Sequence, residues 1–376
     1  MARLGDIGTI ITGNTPKTSD NQNYASSDIS FVKPSDIDDN ELTDLHSSEY
    51  HISEYARDKA RILPPQSILV TCIGIVGKVG INAIECAFNQ QINAIIPDSR
   101  KCNYRYLAYA IQHEKPKLQS IANAPVVPIL NKSQFSDIQV PLPPLEEQRK
   151  IAAVLDKVSD LIAKRRQQLD KLDELIKARF VEMFGTEQQK KALSDICCII
   201  TDGTHQPPKF ISDGIPFLFV SNIVSNQITY ETEKYISEET YNELIKRTPI
   251  ELGDILLSTV GSYGHPAIVK EDRRFLFQRH IAYLKPKHDI VQSQYLHAAL
   301  LSNIAQRQIE SKVKGVAQKT LNLSEIRKIV LPVPPMDRQL YFCRYIEQTE
   351  KTKTTISKSL EKLETLKKAL MQEYFG

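Results

Sequence analysis

The sequence predicts a mixed α/β (α+β) protein: two similar globular units, joined and spaced by two long antiparallel coiled-coil helices, in a pseudo-two-fold internal repeat. Three observations predict it. Pro141–Gln148 reads PLPPLEEQ and returns as Pro332–Gln339, PVPPMDRQ. A heptad-patterned segment of equal length follows each, ending on Phe184–Gly185 and on Phe375–Gly376. The offset is 191 at both ends, 141 to 332 and 185 to 376. A period of that length is half of a 376-residue chain, so the repeating unit is a domain and not a short solenoid turn. The boundaries follow: a globular unit over 1–140, a helix over 141–185, a second unit over 186–331 and a second helix over 332–376.

The helices carry the strongest signal. In the first, Ile151, Leu155, Val158, Ile162, Arg165, Leu169, Leu172, Ile176, Arg179 and Met183 alternate spacings of four and three. Their repeat partners are Phe342, Ile346, Thr349, Lys353, Ile356, Leu360, Leu363, Lys367, Leu370 and Tyr374. Neither run contains Gly or Pro. Sustained heptads favour a coiled coil over two amphipathic helices packed on separate domains. The expected apolar seam is Ile151, Leu155, Val158, Ile162, Leu169, Leu172 and Ile176 against Ile346, Ile356, Leu360, Leu363 and Leu370. The polar seam members, such as Arg165 and Lys353, are the kind that set register at some cost in stability. A helix of about 40 residues is roughly 60 Å long. The first delivers the chain to the second unit. To pair with it, the second must run back, antiparallel, toward the first unit.

The globular units repeat more weakly and in the same order. Leu4–Ile7 (LGDI) matches Leu193–Ile196 (LSDI), and Thr12–Pro16 roughly matches Thr201–Pro207. Ile29–Ile37 matches Ile215–Ile223, Ser67–Gly77 matches Asp254–Gly264, and Phe88–Pro97 matches Phe277–Pro286. Ile68–Ile73 and Ile255–Val260 read as buried strands, each leaving through a Gly-x-x-Gly turn. Tyr104–Gln112 and Gln292–Leu301 read as helices. The segments between these matches differ, as two unlike ligand half-sites on a common frame would require.

Composition bounds the class. The chain is 41% hydrophobic and 25% charged, as in an ordinary globular protein. No apolar run is long enough to span a bilayer, and the first residues lack the pattern of a secretory signal. Six scattered cysteines form no CxxC pair, so neither a zinc site nor a disulfide framework is expected, and a reducing cytoplasm is the expected compartment. The net charge of +3 is compatible with nucleic acid only if positive charge gathers on one face.

Together these residues resemble the DNA-specificity subunit of type I restriction-modification systems, over the whole chain. That family has two target-recognition domains, each followed by a long helix introduced by a P-L-P-P-L-x-E-Q motif. Pro141–Gln148 matches the motif fully. The second copy departs at Val333, Met336, Asp337 and Arg338 but keeps its prolines and Gln339. The prolines hold an extended lead-in, and the acidic residues suit the positive end of a new helix. Thr201–Pro207 (TDGTHQP), Asp254–Gly264 and Gly315–Leu323 (GVAQKTLNL) also look like family segments. The resemblance implies a non-catalytic subunit that binds a split double-stranded DNA target, one half per domain. Its helices would space the domains and dock two modification subunits. Those would bring S-adenosylmethionine and methylate adenine. Two restriction subunits could join, using ATP and Mg to cleave. No cofactor is expected on this chain itself, and no membrane partner.

The residues agree with a role without chemistry. No Walker-type loop and no Asn/Asp-Pro-Pro-Tyr/Phe tetrapeptide is present. Gly74–Gly80 (GIVGKVG) lacks the hydroxyl after its Lys, so a tight turn is favoured over a phosphate loop. Histidines 205, 265 and 280 have no ligand spacing. Base reading wants Arg or Lys for guanine, Asn or Gln for adenine, and Ser, Thr, Asp or Glu elsewhere. The candidates in the first unit are Lys33, Ser35 and Asp36, Asn89, Gln90 and Gln91, with Lys78 beyond the turn. In the second they are Thr204 and His205, Ser221 and Asn222, Ser262 and Tyr263, then Gln278, Arg279 and His280. Lys312, Lys314 and Lys319 suit phosphates, which give affinity without specificity. The bland alternative for each is an ordinary solvated loop.

Three rival readings remain at this level. One is the specificity partner of a fused type II restriction-methylation enzyme. Another is an unrecognised enzyme such as a nuclease. The last is a coiled-coil adaptor that binds no DNA.

Overall fold

The computed structural model describes residues 1–122, 127–315 and 319–376, so residues 316–318 of the GVAQKTLNL segment lie outside the described residues. The chain forms two compact units. One comprises Met1–Lys164 with Ser359–Gly376, and the other Arg165–Lys358. Each unit therefore contains one globular body and half of each long helix. The long helices are Leu145–Phe184 and Met336–Phe375, 40 residues each.

In the first unit a five-stranded sheet runs in the order Gly8–Thr12, Ile92–Pro97, Ile68–Thr71, Val79–Asn82, Thr43–Leu45. All its pairings are antiparallel except the last, where Thr43 lies beside Gly80 in parallel register. Ile68–Thr71 is apolar almost throughout because both of its faces are covered. Ile68 and Val70 enter a core with Tyr106, Leu107, Tyr109 and Ile111 of the helix Tyr104–His113. Leu69 points the other way, toward Val32, Phe88 and Ile92. The hairpin after it is a turn and not a phosphate loop. Gly74 and Gly77 hold φ of +77° and +90°, which side chains resist, and the next element is the strand Val79–Asn82. A second sheet, ordered Tyr50–Ile52, Ile29–Val32, Cys86–Phe88, Ile62–Leu63, covers the far face.

The second unit repeats the plan. Its main sheet is Cys197–Asp202, Ile281–Pro286, Ile255–Ser258, Pro266–Ile268, the same order as the corresponding four strands of the first. Ile255 and Leu257 face Tyr295 and Leu296 of the helix Ser293–Leu301, and Leu256 faces Phe277 and Tyr283. The outer sheet has three strands, Tyr235–Ile236, Ile215–Leu218 and Leu276–Phe277.

Each long helix begins the same way. Gln148 is fully buried; its Oε1 accepts the Asn103 backbone N–H at 2.9 Å, and its Nε2 donates to the carbonyls of Pro143 at 2.7 Å and Lys101 at 3.3 Å. Gln339, also fully buried, accepts from Gln292 and donates to Pro334 and Ile290, each at 2.9 Å. The glutamine that both motif copies keep thus fastens the helix start to the turn before a globular helix.

The residues expected at the seam are at least half covered. Ile151, Leu155, Val158, Ile162 and Ile346 are buried, and Leu169, Leu172, Ile176, Ile356, Leu360, Leu363 and Leu370 are half-buried. In the first unit the opening turns of one helix and the closing turns of the other share a core: Ile151 and Leu155 with Leu370, Met371 and Phe375. In the second the roles reverse, Phe180 and Phe184 packing with Phe342 and Ile346. The polar seam member Lys353 is held by Asp173 at 2.7 Å and Glu350 at 3.2 Å.

Candidate nucleic-acid interface

One parallel strand pair organises each site. In the first unit Ile29–Val32 runs parallel to Cys86–Phe88, with Val32 opposite Phe88. Both chains therefore leave the sheet at the same end, and Lys33–Asp36 emerges beside Asn89–Gln91. The Asn89 N–H donates to the Val32 carbonyl at 3.1 Å. The loop after Gly8–Thr12 joins them: the Asn14 N–H donates to the Phe88 carbonyl at 3.1 Å, and the Thr15 hydroxyl to Gln90 Oε1 at 2.6 Å. Gly13 allows this approach, since a Cβ there would lie 2.1 Å from the Asn89 carbonyl oxygen.

The second unit builds the same edge. Leu218 lies opposite Phe277 in parallel register, setting the turn Val220–Asn222 beside Gln278–His280. The Thr204 N–H donates to the Phe277 carbonyl at 2.9 Å, and the Arg279 N–H to the Thr204 carbonyl at 3.1 Å. The hairpin beyond Ile255–Ser258 reaches the edge through the Thr259 N–H on the His280 carbonyl, 2.9 Å. Lys319 joins it through its carbonyl, which accepts the Gly261 N–H at 3.2 Å. Segments scattered over more than a hundred residues become one surface because parallel strands point their ends the same way.

The side chains there divide into two groups. Ser35, Gln90, His205, Ser221, Ser262, Arg279, Lys314 and Lys319 are exposed, and Lys33, Gln91, Thr204, Tyr263, Gln278, His280 and Lys312 are half-buried. The Lys33 ammonium lies over the Tyr50 ring, 3.0 Å from its centroid, and Lys319 lies 5.9 Å from that of Tyr263. Lys312 is 3.8 Å from Glu325. Burial, reinforced by the Arg279 guanidinium, holds the His280 imidazole below its ordinary value, so it is neutral at pH 7 and can accept as well as donate.

Four of the sequence-predicted residues are instead turned to holding the loops. Asn222 is only 6% exposed; it accepts the Phe219 N–H at 2.9 Å and donates to the carbonyls of Thr229 at 2.9 Å and Glu231 at 2.8 Å. Asn89, also 6% exposed, closes its own turn onto Gln91 through the Gln91 N–H at 3.1 Å and the Gln91 amide oxygen at 2.9 Å. Asp36 accepts the N–H groups of Lys33 at 2.7 Å and Glu49 at 2.9 Å. Lys78 donates to the carbonyls of Ile37 at 2.9 Å and Pro34 at 3.3 Å. Polar residues at strand ends are as useful for bonding the backbone of a turn as for facing a ligand, and sequence alone does not separate the two.

Three residues that the sequence reading did not single out also stand at this edge: Thr15, bonded to Gln90, and Asp202, which accepts from Arg247. Thr15 and Asp202 lie within or beside segments matched in the repeat and could have been compared across it. Arg247 falls in a stretch without a repeat partner. Among the described residues no group of three His, Cys, Asp or Glu side chains could hold a metal ion, and no helix is long and apolar enough to cross a membrane.

The family model described as "Type I restriction modification DNA specificity domain" matches this chain twice, over residues 1–174 and 186–367. The chain belongs to the type I restriction-modification specificity subunits. The MjaIX specificity subunit of Methanocaldococcus jannaschii is 25% identical over 362 residues, covering 89% of this chain and 83% of that one. The EcoBI specificity subunit of Escherichia coli is 24% identical over 323 residues, covering 76% and 68%. Among solved structures, a chain from a study of complex assembly and conformational transition in a type I system aligns with TM-score 0.59. It is 16% identical and covers 99% of this chain and 96% of its own. The S subunit from M. genitalium aligns with TM-score 0.54 at 13% identity, covering 100% and 95%. These structural likenesses show the fold.

Proposed function

We propose that this specificity subunit reads a bipartite, asymmetric duplex, one half per unit, and contributes no chemistry of its own. One observation carries the reading. The same parallel strand pair gathers the same loops in both units, yet the side chains presented differ: Thr15 and Gln90 in one, His205 and Arg279 in the other. A shared frame with unlike readers suits a target whose halves differ. The long helices act as an antiparallel coiled-coil spacer and as the docking surface for two modification subunits carrying S-adenosylmethionine, which two restriction subunits using ATP and Mg can join. Half-site centres then lie about one helical turn of DNA apart.

Two experiments test this. Co-expression with the neighbouring modification subunit, followed by mapping of methylated adenines, should return one split motif with unlike halves; symmetric or undivided motifs would exclude it. Inserting one helical turn into both long helices should lengthen the tolerated spacer, and an unchanged spacer would remove the ruler.

A further inference from the structure

Asp202 ends the strand Cys197–Asp202 at the reading edge of the second unit and holds a charged cluster together. Its carboxylate accepts a hydrogen bond from Arg247 Nη2 and lies 3.0 Å from His205 Nε2. Arg247 Nη2 also lies 3.2 Å from His205 Nε2, so the guanidinium, the carboxylate and the ring form one cluster. The Asp202 side chain is 16% exposed, whereas Arg247 is 52% and His205 53% exposed. The half-buried acid thus holds an exposed arginine, with the exposed His205 ring against both. Asp202 also lines a cleft with Arg279 and His280, and Arg247 lines the adjoining cleft with Thr204 and His205, so the pair stands between the two.

The corresponding place in the first unit is built otherwise. Thr12 pairs with Asn93 as Asp202 pairs with Ala282, and its hydroxyl donates to Asn93 Oδ1 at 2.7 Å. Beside it stands the neutral pair Thr15 and Gln90. An arginine reaches this place too, but Arg61 Nη1 donates to the Thr12 backbone carbonyl and not to a carboxylate at that position. The Asp202–Arg247–His205 arrangement thus differs from its counterpart, as a specificity device for one half-site would.

Resting on the DNA-recognition reading above, we propose that Arg247 reads a guanine in the half-site of the second unit, with Asp202 as its positioning residue. The guanidinium fork matches the O6 and N7 acceptors of guanine in the major groove. A phosphate is the poorer match, because the Asp202 carboxylate against it would repel the phosphate and cancel most of the cation's charge. A base edge needs donors at fixed angles and little net charge, and an arginine held at one amino group by a carboxylate offers both. Asp202 can in addition accept from a cytosine amino group next to that guanine.

The test is co-expression of the full chain with the modification subunit and mapping of methylated adenines for wild type, Arg247→Ala, Arg247→Lys and Asp202→Asn. The wild-type motif should contain a G·C pair in one half at which Arg247→Ala loses discrimination about ten- to one-hundredfold, every other position being retained. Arg247→Lys keeps the charge and loses the fork, so it should show the same relaxed position. Asp202→Asn should weaken discrimination at that position less than Arg247→Ala does. Retention of the other half-site shows that each variant is folded. A motif unchanged in Arg247→Ala overturns the assignment and leaves the split-target reading standing. Full recovery by Arg247→Lys also overturns it, because a point charge then suffices. A wild-type protein directing no split motif removes the reading beneath it.

Discussion

The ring of Phe375 lies 5.2 Å from that of Tyr106, and both are nearly or fully buried in the first unit. In the second unit Phe184 lies 5.1 Å from Tyr295. Tyr106 and Tyr295 are equivalent residues, as are Phe184 and Phe375. The last turn of the second helix therefore completes the first unit, and the last turn of the first helix completes the second. Each tyrosine also donates its hydroxyl to the first proline of the motif in its unit, Pro141 at 3.0 Å and Pro332 at 2.9 Å. Phe375→Ala should destabilise the first unit by about 3–5 kcal/mol, the range for truncating a buried aromatic. Denaturant titration should show it, and a loss below 1 kcal/mol would mean that the helix end is dispensable to the core.

Gln148 makes a second test of the same joint. Its removal leaves the Asn103 N–H and the Pro143 and Lys101 carbonyls without their partner in a buried site. Each orphaned group costs about 1–3 kcal/mol, so Gln148→Ala should be among the more damaging polar substitutions in the chain. Gln148→Glu should also destabilise, since a carboxylate cannot donate to two carbonyls. If Glu were tolerated as well as Gln in thermal melts, the two donated bonds would carry no weight.

The helices and the Gly-x-x-Gly hairpins were legible in the sequence because their causes are local. The heptad period marks two unbroken 40-residue helices, and Gly74 and Gly261 hold φ of +77° and +71° where turns require them. Ile68–Thr71 and Ile255–Ser258 were legible because burial on both faces leaves an unbroken apolar run. The loop edge proposed to read DNA was legible only in part. Which loops meet depends on the parallel pairing of Val32 with Phe88 and of Leu218 with Phe277, and no periodicity encodes a partner so distant in sequence. The partnership of Arg247 with Asp202 was hidden for the same reason. Asn89 and Asn222 were selected for residue type and position, and only the structure shows that they face inward.

Asn222→Ala separates holding from reading. The side chain is 6% exposed and makes three hydrogen bonds of 2.8–2.9 Å to its own loop. The substitution should cost about 1–3 kcal/mol of stability by stranding those groups. It should leave the methylated motif unchanged at a temperature where the variant is folded. A motif altered at one base pair with stability intact would return Asn222 to the base-reading set.

Lys319 should act on affinity without altering the sequence read. It is exposed beside the second hairpin, and its backbone carbonyl fixes its place there through Gly261. If it meets phosphate as a point charge, binding would release counterions from the duplex. Lys319→Ala should weaken binding to specific and non-specific duplexes by similar factors. It should also reduce the slope of log affinity against log salt by about 1. Salt titrations with the methyltransferase complex on a matched and a scrambled duplex would measure both. An unchanged slope would take Lys319 off the phosphate backbone. A loss confined to the matched duplex would instead make it a reader of sequence, because a phosphate contact cannot tell the two duplexes apart.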